Sequence, residues 1–471
     1  MGRKLMIRAF LENKTKGKKV VLWGMGREGI STFRFLRKYL PDLPLFVLDA
    51  DSSALQRFRE TFPDVQRVAY YNNTQHLLHP KDKNLLVFKS PGISLKDFDD
   101  GFWKEHICSQ TQLFLELFRK QTIGITGTKG KSTTTSLIYH ILKQAGKDTV
   151  IGGNMGVPPL DLFEKIKPDT LAVLEMSSHQ LETVTLSPYI AVFLNLFPEH
   201  LDHYKSYQHY QQAKYNIARW QQKDDFLIIN SSSEWIKKLM KSNATSAKIF
   251  NFQVGLLDND ASAYVKGKDV FLHAGKIKVQ WQNLTDRIAL PGDHNLNNIL
   301  ASALVCALSD IPQEQIRQGL ETFEGLPHRL QFLGTYRKVD CYNDSISTIP
   351  ESTISALTTL KRVHTLLLGG YDRGIDYSQL IHFLNSYPVS TVIFLGNAGK
   401  KMRNLWEVAG NKNDKKNYWF DDFRPAVICA VENTPAGEKL LLSPAAASYD
   451  MFKNFEERGK TFHEILKSLV S

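Results

Sequence analysis

One short stretch, TGTKGKST at residues 126–133, constrains the fold of this chain more than any other feature. It follows the apolar run TIGI at 122–125 and precedes a helix-like pattern. Glycines after a strand let backbone amides turn toward phosphate oxygens, while the following lysine adds positive charge and the serine hydroxyl reaches a bound metal. The stretch therefore predicts a nucleotide-phosphate loop between a strand and a helix, and the use of ATP or GTP.

The loop departs from the strict phosphate-binding pattern at one position. Ile125 stands where the pattern G-x-x-x-x-G-K-S/T has its first glycine, so we interpret the loop as a shortened variant. The alternative is a glycine turn that caps a surface helix. The lysine, serine and threonine at 131–133, together with the strand before the loop, favour nucleotide binding.

Composition narrows the class of protein. A length of 471 residues predicts about three domains, and 42% hydrophobic residues are enough for packed cores. No apolar stretch reaches the roughly 18 residues that cross a bilayer, and the basic segment 1–19 lacks the hydrophobic centre of a signal peptide. We therefore expect a cytoplasmic protein with no membrane partner, whose four scattered cysteines stay reduced.

The net charge is strongly positive, +11, with an isoelectric point near 9.2. This balance suits nucleic acid, and it suits a small anionic substrate equally well. The basic residues are dispersed, with only short clusters at 14–19 and 412–416. We therefore expect no nucleic-acid partner, and we expect the chain to act as a monomer.

The first segment begins with a second glycine motif, GMGREG at 24–29, after the strand-like run KVVLW at 19–23. A second strand at 45–48 leads to Asp49, and a third at 84–88 leads to the turn KSPGIS at 89–94. This order is typical of a Rossmann-like unit, with a diphosphate at the helix start and a carboxylate near a ribose. A dinucleotide, a nucleotide sugar and a purely structural turn all remain compatible with the motif.

The second segment carries the phosphate loop and two strand ends with polar side chains. The strand at 171–174 leads to Glu175, which suits a metal on the phosphates, although a merely exposed carboxylate is the alternative. The run at 190–196 delivers Glu199, His200 and Asp202, a candidate metal or acid–base cluster. His203 and His209 lie in a polar stretch, and we predict that both are solvated.

The remaining sequence predicts a third alternation of strands and helices. The motif PGDHNLNN at 291–298 opens an amphipathic helix through Leu308, and apolar strands at 366–368, 392–395 and 440–442 each end in a turn of small residues. Residues 243–275 and 411–416 suggest only loops or edge strands. We predict an α/β fold of three domains, at 1–109, 110–326 and 327–471, with ligands at the carboxyl ends of the strands.

Together these motifs resemble those of the Mur ligases, ATP-dependent amide-forming enzymes of bacterial cell-wall precursor synthesis. The resemblance covers nearly the whole chain and rests on GTKGKS at 127–132, GGNMG at 152–156, EMSS at 175–178, EHLD at 199–202, HNLNN at 294–298, LPHR at 326–329 and NDS at 343–345. Two further motifs, LSPAAAS at 442–448 and FKNFEERG at 452–459, resemble the branch that adds glutamate to UDP-N-acetylmuramoyl-L-alanine. The resemblance implies an N-terminal Rossmann-like UDP-binding domain, a central ATPase domain and a C-terminal Rossmann-like amino-acid-binding domain.

The resemblance also implies roles for individual residues. Those assigned to ATP are Gly127, Thr128, Lys129, Gly130, Lys131, Ser132, Thr133, Asn295, Asn298, Arg329 and Asp344. Those assigned to the UDP-sugar are Gly24, Gly26, Arg27, Asp49, Ser90, Gly92, Ile93, Asn154 and Ser177. Two Mg²⁺ ions would be held by Ser132, Glu175, His200 and Lys214, the last as a carbamate. Catalysis would depend on Lys131, Glu175, His200 and Lys214, and the amino acid would contact Thr348, Arg373, Ser448 and Phe455.

Three departures from the usual glutamate-adding pattern bear on specificity. Ile346 stands where a lysine for the amino-acid carboxylate is usual, and Arg373 replaces a second such lysine. This pairing resembles the subgroup that takes L-glutamate, so we predict L-glutamate, with D-glutamate as the alternative. Glu199 replaces the usual aspartate before His200. A nucleic-acid-dependent ATPase, an NAD-dependent dehydrogenase and a non-catalytic scaffold are the remaining alternatives.

Overall fold

The computed structural model describes residues 2–74, 77–78, 82–98, 105–254, 261–290, 292, 294–410 and 415–469. The chain forms two compact units. The first contains residues 1–288 and 294–323, and the second contains 289–293 and 324–471. The described residues form three sheets, with the first two in the first unit and the third in the second unit. The predicted α/β class is confirmed, whereas the predicted boundaries at 109 and 326 stay predictions.

The first sheet is entirely parallel. Its strands are β1 Lys19–Trp23, β2 Leu45–Leu48, β3 Val68–Tyr71, β4 Leu85–Lys89 and β5 Ile107–Cys108, and its helices are α1 Gly2–Thr15, α2 Arg27–Tyr39 and α3 Ser52–Thr61. The strand order is β3-β2-β1-β4-β5, so β1 lies at the centre between two crossovers. The glycine motif follows β1 directly. It therefore lies where strand order reverses, which is the ligand-binding edge of such sheets.

The second sheet has nine strands and contains the phosphate loop. Its strands are β6 Thr122–Thr126, β7 Thr149–Gly153, β8 Leu171–Glu175, β9 Ile190–Phe193, β10 Phe226–Asn230, β11 Lys248–Val254, β12 Ala263–Lys266, β13 Asp269–Ala274 and β14 Ile277–Trp281. The helices are α4 Gln110–Phe118, α5 Lys131–Gln144, α6 Ser178–Leu181, α7 Tyr207–Arg219, α8 Glu234–Ser242, α9 His294–Leu308 and α10 Gln313–Thr322, with 3₁₀ turns at Arg119–Gln121, Pro159–Lys165 and Leu284–Asp286.

The order of this sheet, β14-β13-β12-β11-β10-β9-β6-β8-β7, places β6 between β8 and β9. Pairing is parallel from β7 through β12 and antiparallel from β12 to β14. All residues of β6 and β9 are buried, because helices cover both faces of a parallel sheet. The ends of β6, β8 and β9 therefore bring the phosphate loop, Glu175 and the segment before His200 to one edge.

The third sheet forms the second unit with helices on both faces. Its strands are β15 Gln331–Tyr336, β16 Val339–Asn343, β17 Thr365–Gly369, β18 Thr391–Leu395, β19 Lys416–Phe420 and β20 Lys439–Leu442, in the order β15-β16-β20-β17-β18-β19. The helices are α11 Pro350–Leu360, α12 Ser378–Ser386, α13 Gly396–Val408, α14 Phe423–Glu432 and α15 Phe455–Ser468. Leu366 and Leu368 enter one apolar core, while Leu367 enters the core on the opposite face. Among the described strands of this sheet, only the pairing of β15 with β16 is antiparallel.

The edge strands, the cysteines and the helices bear on other predictions from the sequence. The prediction that residues 243–275 form only loops or edge strands is wrong, because β11, β12 and β13 each pair with a strand on both sides and β14 forms the sheet edge. Residues 255–260 lie outside the described residues. Residues 411–414 also lie outside them, while Lys416 begins β19, an edge strand. All four cysteines are free thiols. Among the described residues, no helix has both the length and the apolar character that a membrane crossing requires.

Candidate active site

The phosphate loop connects the end of β6 to the first turn of α5, as the sequence predicts. Gly130 is the N-cap of α5 and has φ of +85°, a left-handed conformation that favours glycine. A Cβ atom there would lie 2.4 Å from Oδ1 of Asn298. The close approach of α9 to the loop therefore requires glycine at this position. Backbone amides at the start of α5 are left to face an anion.

Ser132 and Glu175 meet at the start of α5. The Ser132 hydroxyl donates to Oε2 of Glu175 over 2.7 Å, and the Asn154 amide donates to Oε1 over 2.7 Å. Glu175 is buried at the end of β8, so the alternative of an exposed strand-end carboxylate is wrong. A hydroxyl and a carboxylate side by side supply the hard oxygen ligands that Mg²⁺ prefers. Among the described residues, no group of three or more His, Cys, Asp and Glu side chains could hold a metal.

Lys214 reaches the same loop from α7. Its Nζ atom is buried and donates to the Gly127 carbonyl over 2.8 Å, and it lies 5.0 Å from the centre of the Tyr210 ring. Burial lowers the pKa of Lys214 well below its ordinary value, and the charge of Lys131 lowers it further. The Nζ of Lys131 donates to the carbonyls of Gly127 and Thr128, over 2.9 and 3.0 Å.

Tyr210 is a residue that the sequence reasoning missed. Its hydroxyl lies 3.0 Å from Oγ1 of Thr128, which also accepts from the amide of Phe197. Tyr210, Ala213, Lys214 and Ile217 are all buried on α7. The spacing of these four residues is that of one helix face. The pattern could have indicated in advance that Tyr210 and Lys214 are buried, because it places both with apolar residues on one face of an otherwise polar helix.

His200 lies in the loop after β9 and has φ of +56°. Its side chain is exposed, with 45% of its surface accessible, and Nε2 lies 3.6 Å from Oε2 of Glu199. Burial lowers the pKa of His200, and the neighbouring Glu199 opposes that shift. The other carboxylate oxygen of Glu199 accepts from Nζ of Lys129 over 2.9 Å. The side chain of Glu199 therefore connects the candidate histidine to the phosphate loop.

The prediction that His203 is solvated is wrong, whereas His209 is exposed as predicted. The His203 ring is buried against the ring of His179, with centroids 4.0 Å apart, and its backbone oxygen accepts from the Ser94 hydroxyl over 2.6 Å. The segment after β4 therefore covers His203. Burial lowers the pKa of His179 to about 3, and the nearby His203 adds to that shift, so His179 is a neutral imidazole at ordinary pH.

Two of the three asparagines of the α9 motif, Asn295 and Asn298, lie against the phosphate loop and the start of α5. Oδ1 of Asn298 accepts from the Thr134 hydroxyl over 3.1 Å, and its Nδ2 donates to Oδ1 of Asn295 over 2.8 Å. Both side chains are buried. The structure thus gives Asn298 partners within the protein, and its predicted contact with adenine stays a prediction.

The first glycine motif is held in place by Asp49 and Ser90. Oδ2 of Asp49 accepts from the Met25 amide over 2.7 Å, and the Ser90 hydroxyl donates to the Gly24 carbonyl over 2.6 Å. A Cβ atom at Gly24, where φ is +91°, would lie 2.8 Å from side-chain atoms of Ser90 and Ile93. Asp49 is therefore bonded to the motif's backbone, while a Cβ at Gly26 or Gly92 would meet open space.

Hydrogen bonds from Arg27 are among the contacts that connect this motif to the second sheet. The guanidinium of Arg27 donates to the carbonyls of Gly156 and Asn154, over 3.1 and 3.5 Å. Ser177 caps α6, with its hydroxyl accepting from the Gln180 amide over 3.2 Å. Asn154 therefore lies between Arg27 and Glu175. The predicted UDP-sugar residues and the predicted metal ligands of the first unit are thus neighbours.

In the second unit, Asp344 is buried at the end of β16. Its Oδ1 accepts from the Leu330 amide over 3.1 Å, and its Oδ2 accepts from the Ser443 hydroxyl over 2.7 Å. Burial raises the pKa of Asp344 to about 6, although these hydrogen bonds and the charge of Arg329 oppose the shift. Arg329 itself is exposed.

The candidate amino-acid residues of the second unit surround the same strand ends. Nη2 of Arg373 donates to the Thr348 carbonyl over 2.9 Å, and its side chain is exposed. The Phe455 carbonyl accepts from the Ser345 hydroxyl over 2.8 Å, and Ser448 is buried in the turn after β20.

Arg458, which the sequence reasoning did not assign, holds these turns together. Its buried guanidinium donates to the hydroxyl and carbonyl of Ser345 and to the carbonyls of Ala446 and Ala447, over 2.8 to 3.2 Å. Burial lowers the pKa of Arg458 to about 10. The signal in the sequence was a charge on the same helix face as the buried Phe462 and Ile465.

The chain is similar to known proteins in sequence and in fold. Residues 125–306 match the family model described as the Mur ligase middle domain. A protein of Clostridioides difficile (strain 630), named UDP-N-acetylmuramoylalanine–D-glutamate ligase, is 33% identical over 466 residues, covering 96% of this chain and 99% of the relative. A protein of the same name from Listeria monocytogenes is 32% identical over 459 residues, covering 96% and 97%.

Solved structures agree on the fold. A UDP-N-acetylmuramoylalanyl-D-glutamyl-2,6-diaminopimelate–D-alanyl-D-alanyl ligase from Acinetobacter baumannii has a TM-score of 0.57 at 15% identity, covering 98% of both chains. A UDP-N-acetylmuramate–alanine ligase from Thermotoga maritima has a TM-score of 0.55 at 17% identity, covering 96% and 99%. The near full-length identity to curated relatives shows that the chain belongs to the Mur ligase family of ATP-dependent, amide-forming enzymes.

Proposed function

We propose that this enzyme joins glutamate to UDP-N-acetylmuramoyl-L-alanine at the cost of one ATP, in the synthesis of peptidoglycan precursors. The observation that carries the proposal is the convergence of Lys131, Ser132, Glu175 and Lys214 around the phosphate loop. The names of the relatives supply the substrates.

The chemistry follows from the low reactivity of a carboxylate. One oxygen of the alanyl carboxylate attacks the γ-phosphorus of ATP, and the bond from that phosphorus to the bridging oxygen breaks to release ADP. The glutamate nitrogen then attacks the carbonyl carbon of the acyl phosphate. The resulting tetrahedral species loses a proton and expels inorganic phosphate, which leaves the amide. No protein nucleophile is needed, and the enzyme contributes position and charge.

Residues of this chain fit those tasks. Amides at the start of α5 face the phosphates, and Lys131, at the first position of that helix, supplies a cation for the transferred phosphoryl group. Ser132 and Glu175 would hold a Mg²⁺ ion, which neutralises the repulsion between carboxylate and phosphate. Lys214 as a carbamate, with His200, would hold a second one. Arg27, Asn154 and the first glycine motif would bind the sugar nucleotide.

The observations differ on which enantiomer of glutamate the enzyme uses. The names of the relatives favour D-glutamate, which is therefore the first candidate. The second candidate, L-glutamate, is favoured by Ile346 and Arg373, which resemble the L-glutamate subgroup. Exchanging an ammonium for a planar guanidinium, and removing another cation, changes how a carboxylate is recognised.

The test is release of inorganic phosphate from ATP by the purified chain with Mg²⁺, UDP-N-acetylmuramoyl-L-alanine and each glutamate isomer separately. We expect phosphate release that requires the sugar nucleotide and one isomer, and the isomer that supports turnover decides between the two candidates. Lys131→Ala is expected to remove this activity while leaving sugar-nucleotide binding within about twofold, because the two glycine loops lie on different sheets. Absence of phosphate release with both isomers would overturn the proposal.

A further inference from the structure

Glu28 is a carboxylate within the first glycine motif, where the proposed function places a diphosphate. It is the second residue of α2, and the N-cap Gly26 provides no side-chain hydrogen bond to that helix. The helix start and the glycine motif both favour negative charge from a ligand. An ionised carboxylate inside the motif competes with a ligand for that preference and repels the ligand's charge.

The two carboxyl oxygens of Glu28 have different surroundings. Oε1 accepts from Nε2 of Gln180 over 2.5 Å, a contact that joins the motif to α6 of the second sheet. Oε2 is buried and has no hydrogen-bond partner. A buried, unpartnered oxygen is costly when the group is ionised, and less costly when that oxygen carries a proton that it can donate.

The charges that face Glu28 come from its own helix and from β4. Arg27 precedes it, but the Arg27 guanidinium donates to the Gly156 and Asn154 carbonyls. Lys89 is buried at the end of β4, where its Nζ lies 3.5 Å from Oε2 of Glu182 and donates to the Ile93 carbonyl over 2.7 Å. Among the described residues, no basic side chain forms an ion pair with Glu28. Burial raises the pKa of Glu28 to about 7, although Gln180, Arg27 and Lys89 oppose the shift.

We propose that Glu28 binds the sugar nucleotide as a neutral acid and takes up one proton from solvent when the diphosphate enters the glycine motif. The inference deepens the proposed function and rests on its UDP-sugar site. The physical reason is repulsion, since two phosphate charges beside the start of α2 disfavour a third negative charge in the same motif. The protonated Oε2 gains the ability to donate a hydrogen bond, which an ionised carboxylate lacks.

Because binding takes up a proton at Glu28, the affinity for the sugar nucleotide should fall as pH rises. In the free enzyme a group that titrates near pH 7 is about half ionised at that pH and about nine-tenths ionised at pH 8. Binding at pH 7 should therefore take up about 0.5 proton, and binding at pH 8 about 0.9. The dissociation constant should be roughly tenfold larger at pH 8 than at pH 6. A sugar diphosphate is a diester whose own charge is constant over this range.

The experiment is calorimetric titration of the full chain with UDP-N-acetylmuramoyl-L-alanine, in paired buffers of low and high ionisation enthalpy at pH 6, 7 and 8. The wild-type enzyme should take up about 0.5 proton on binding at pH 7 and about 0.9 proton at pH 8. Glu28→Gln should show less than about 0.1 proton at every pH and a dissociation constant that no longer depends on pH. Glu164→Gln is the matched control, because Glu164 also joins α2 to the second sheet, through Lys38 and Tyr39, but lies on the surface. It should retain wild-type uptake.

Gln180→Leu provides a variant that keeps Glu28. Loss of the hydrogen bond from Gln180 raises the pKa of Glu28 further, so more of the free enzyme is already protonated at pH 7. Proton uptake on binding at pH 7 should therefore fall below the wild-type value. The dissociation constant should begin to rise only at a higher pH than in the wild-type enzyme. Tight binding without proton uptake by the wild-type enzyme would overturn the inference and leave the proposed function standing. Uptake that persists in Glu28→Gln would assign the proton to another group and would also overturn it. Failure of the sugar nucleotide to bind at any pH would overturn the proposed function itself.

Discussion

The side-chain amines of Lys131 and Lys214 donate to the same acceptor, the carbonyl oxygen of Gly127, over 2.9 and 2.8 Å. Two ammonium groups at one carbonyl repel each other, and Lys214 is the more deeply buried of the two. Burial and the charge of Lys131 lower the pKa of Lys214. A neutral amine adds to carbon dioxide, whereas an ammonium ion does not. The geometry therefore supports the proposal that Lys214 is carbamylated.

Replacing Lys214 tests that proposal. Lys214→Ala should lower kcat by at least about 100-fold, because the carbamate proposed to hold a second metal ion could no longer form. Added acetate should raise the activity of Lys214→Ala roughly tenfold, because acetate can occupy the space that the lysine side chain leaves. The measurement is phosphate release with and without acetate. Lys129→Ala, which removes an exposed amine from the same loop, is the control and should show no response to acetate. A Lys214→Ala enzyme that acetate does not improve would contradict the carbamate.

Replacing Arg373 tests its place in the amino-acid site. Arg373→Lys should raise KM for glutamate by roughly 10-fold to 100-fold, because a planar fork is replaced by a single ammonium. KM for ATP should change by less than about twofold, since the assigned ATP residues are untouched. Steady-state kinetics with each substrate varied in turn provide the measurement. Equal increases in both KM values would remove Arg373 from the amino-acid site.

Arg458 should matter for the stability of the second unit. Arg458→Lys removes the guanidinium that donates hydrogen bonds to Ser345, Ala446 and Ala447. Several buried oxygen acceptors would then lack a donor. We expect a loss of roughly 2–4 kcal/mol in the free energy of unfolding, measured by urea denaturation. Arg424→Lys, at an exposed contact with Ser468, should change it by less than about 0.5 kcal/mol. Similar losses in both variants would contradict the assigned role.

Asp344 makes stability depend on pH in a defined direction. Its pKa is about 6 in the folded protein and near 3.8 when unfolded, so the folded state retains the proton over a wider range. The stability that it contributes is therefore fully present below pH 3.8 and is lost as pH rises through 6. Relative to Asp344→Asn, the wild-type free energy of unfolding should fall by roughly 3 kcal/mol between these limits.

Urea titrations of both proteins at several pH values between 4 and 7 provide the measurement. Asp376→Asn is the control, because the hydrogen bonds from Ser378 lower the pKa of the exposed Asp376 instead of raising it. A difference between the wild-type protein and Asp344→Asn that stays constant with pH would contradict the prediction.

The parallel strands could be predicted from the sequence because they are buried on both faces and so appear as continuous apolar runs. The runs at 122–125, 171–174 and 392–395 all lie within strands of the structure. The glycine loops were also readable, since a phosphate loop needs its glycines and lysine at fixed spacing. Glu175, Ser132 and Lys214 meet because their strands and helices converge at one edge.

The errors and omissions share a physical origin in contacts between distant segments. His203 lies in a polar stretch, yet the segment after β4 covers it, with Ser94 bonded to its backbone. Arg458 depends on acceptors more than 100 residues earlier, at Ser345. The composition of a short segment does not indicate which distant residues will contact it in the fold. The buried face of a helix is the only local sign, as with Tyr210 and Lys214 on α7.

The bond between Tyr210 and Thr128 has a consequence for how the nucleotide is received. Tyr210 and Lys214 are one turn apart on α7, and both contact the loop between β6 and α5. Two hydrogen bonds therefore hold the loop against the helix, one at Thr128 and one at Gly127. The entropy of ordering this region is lost during folding, before ATP arrives, so that the incoming triphosphate meets a preorganised surface.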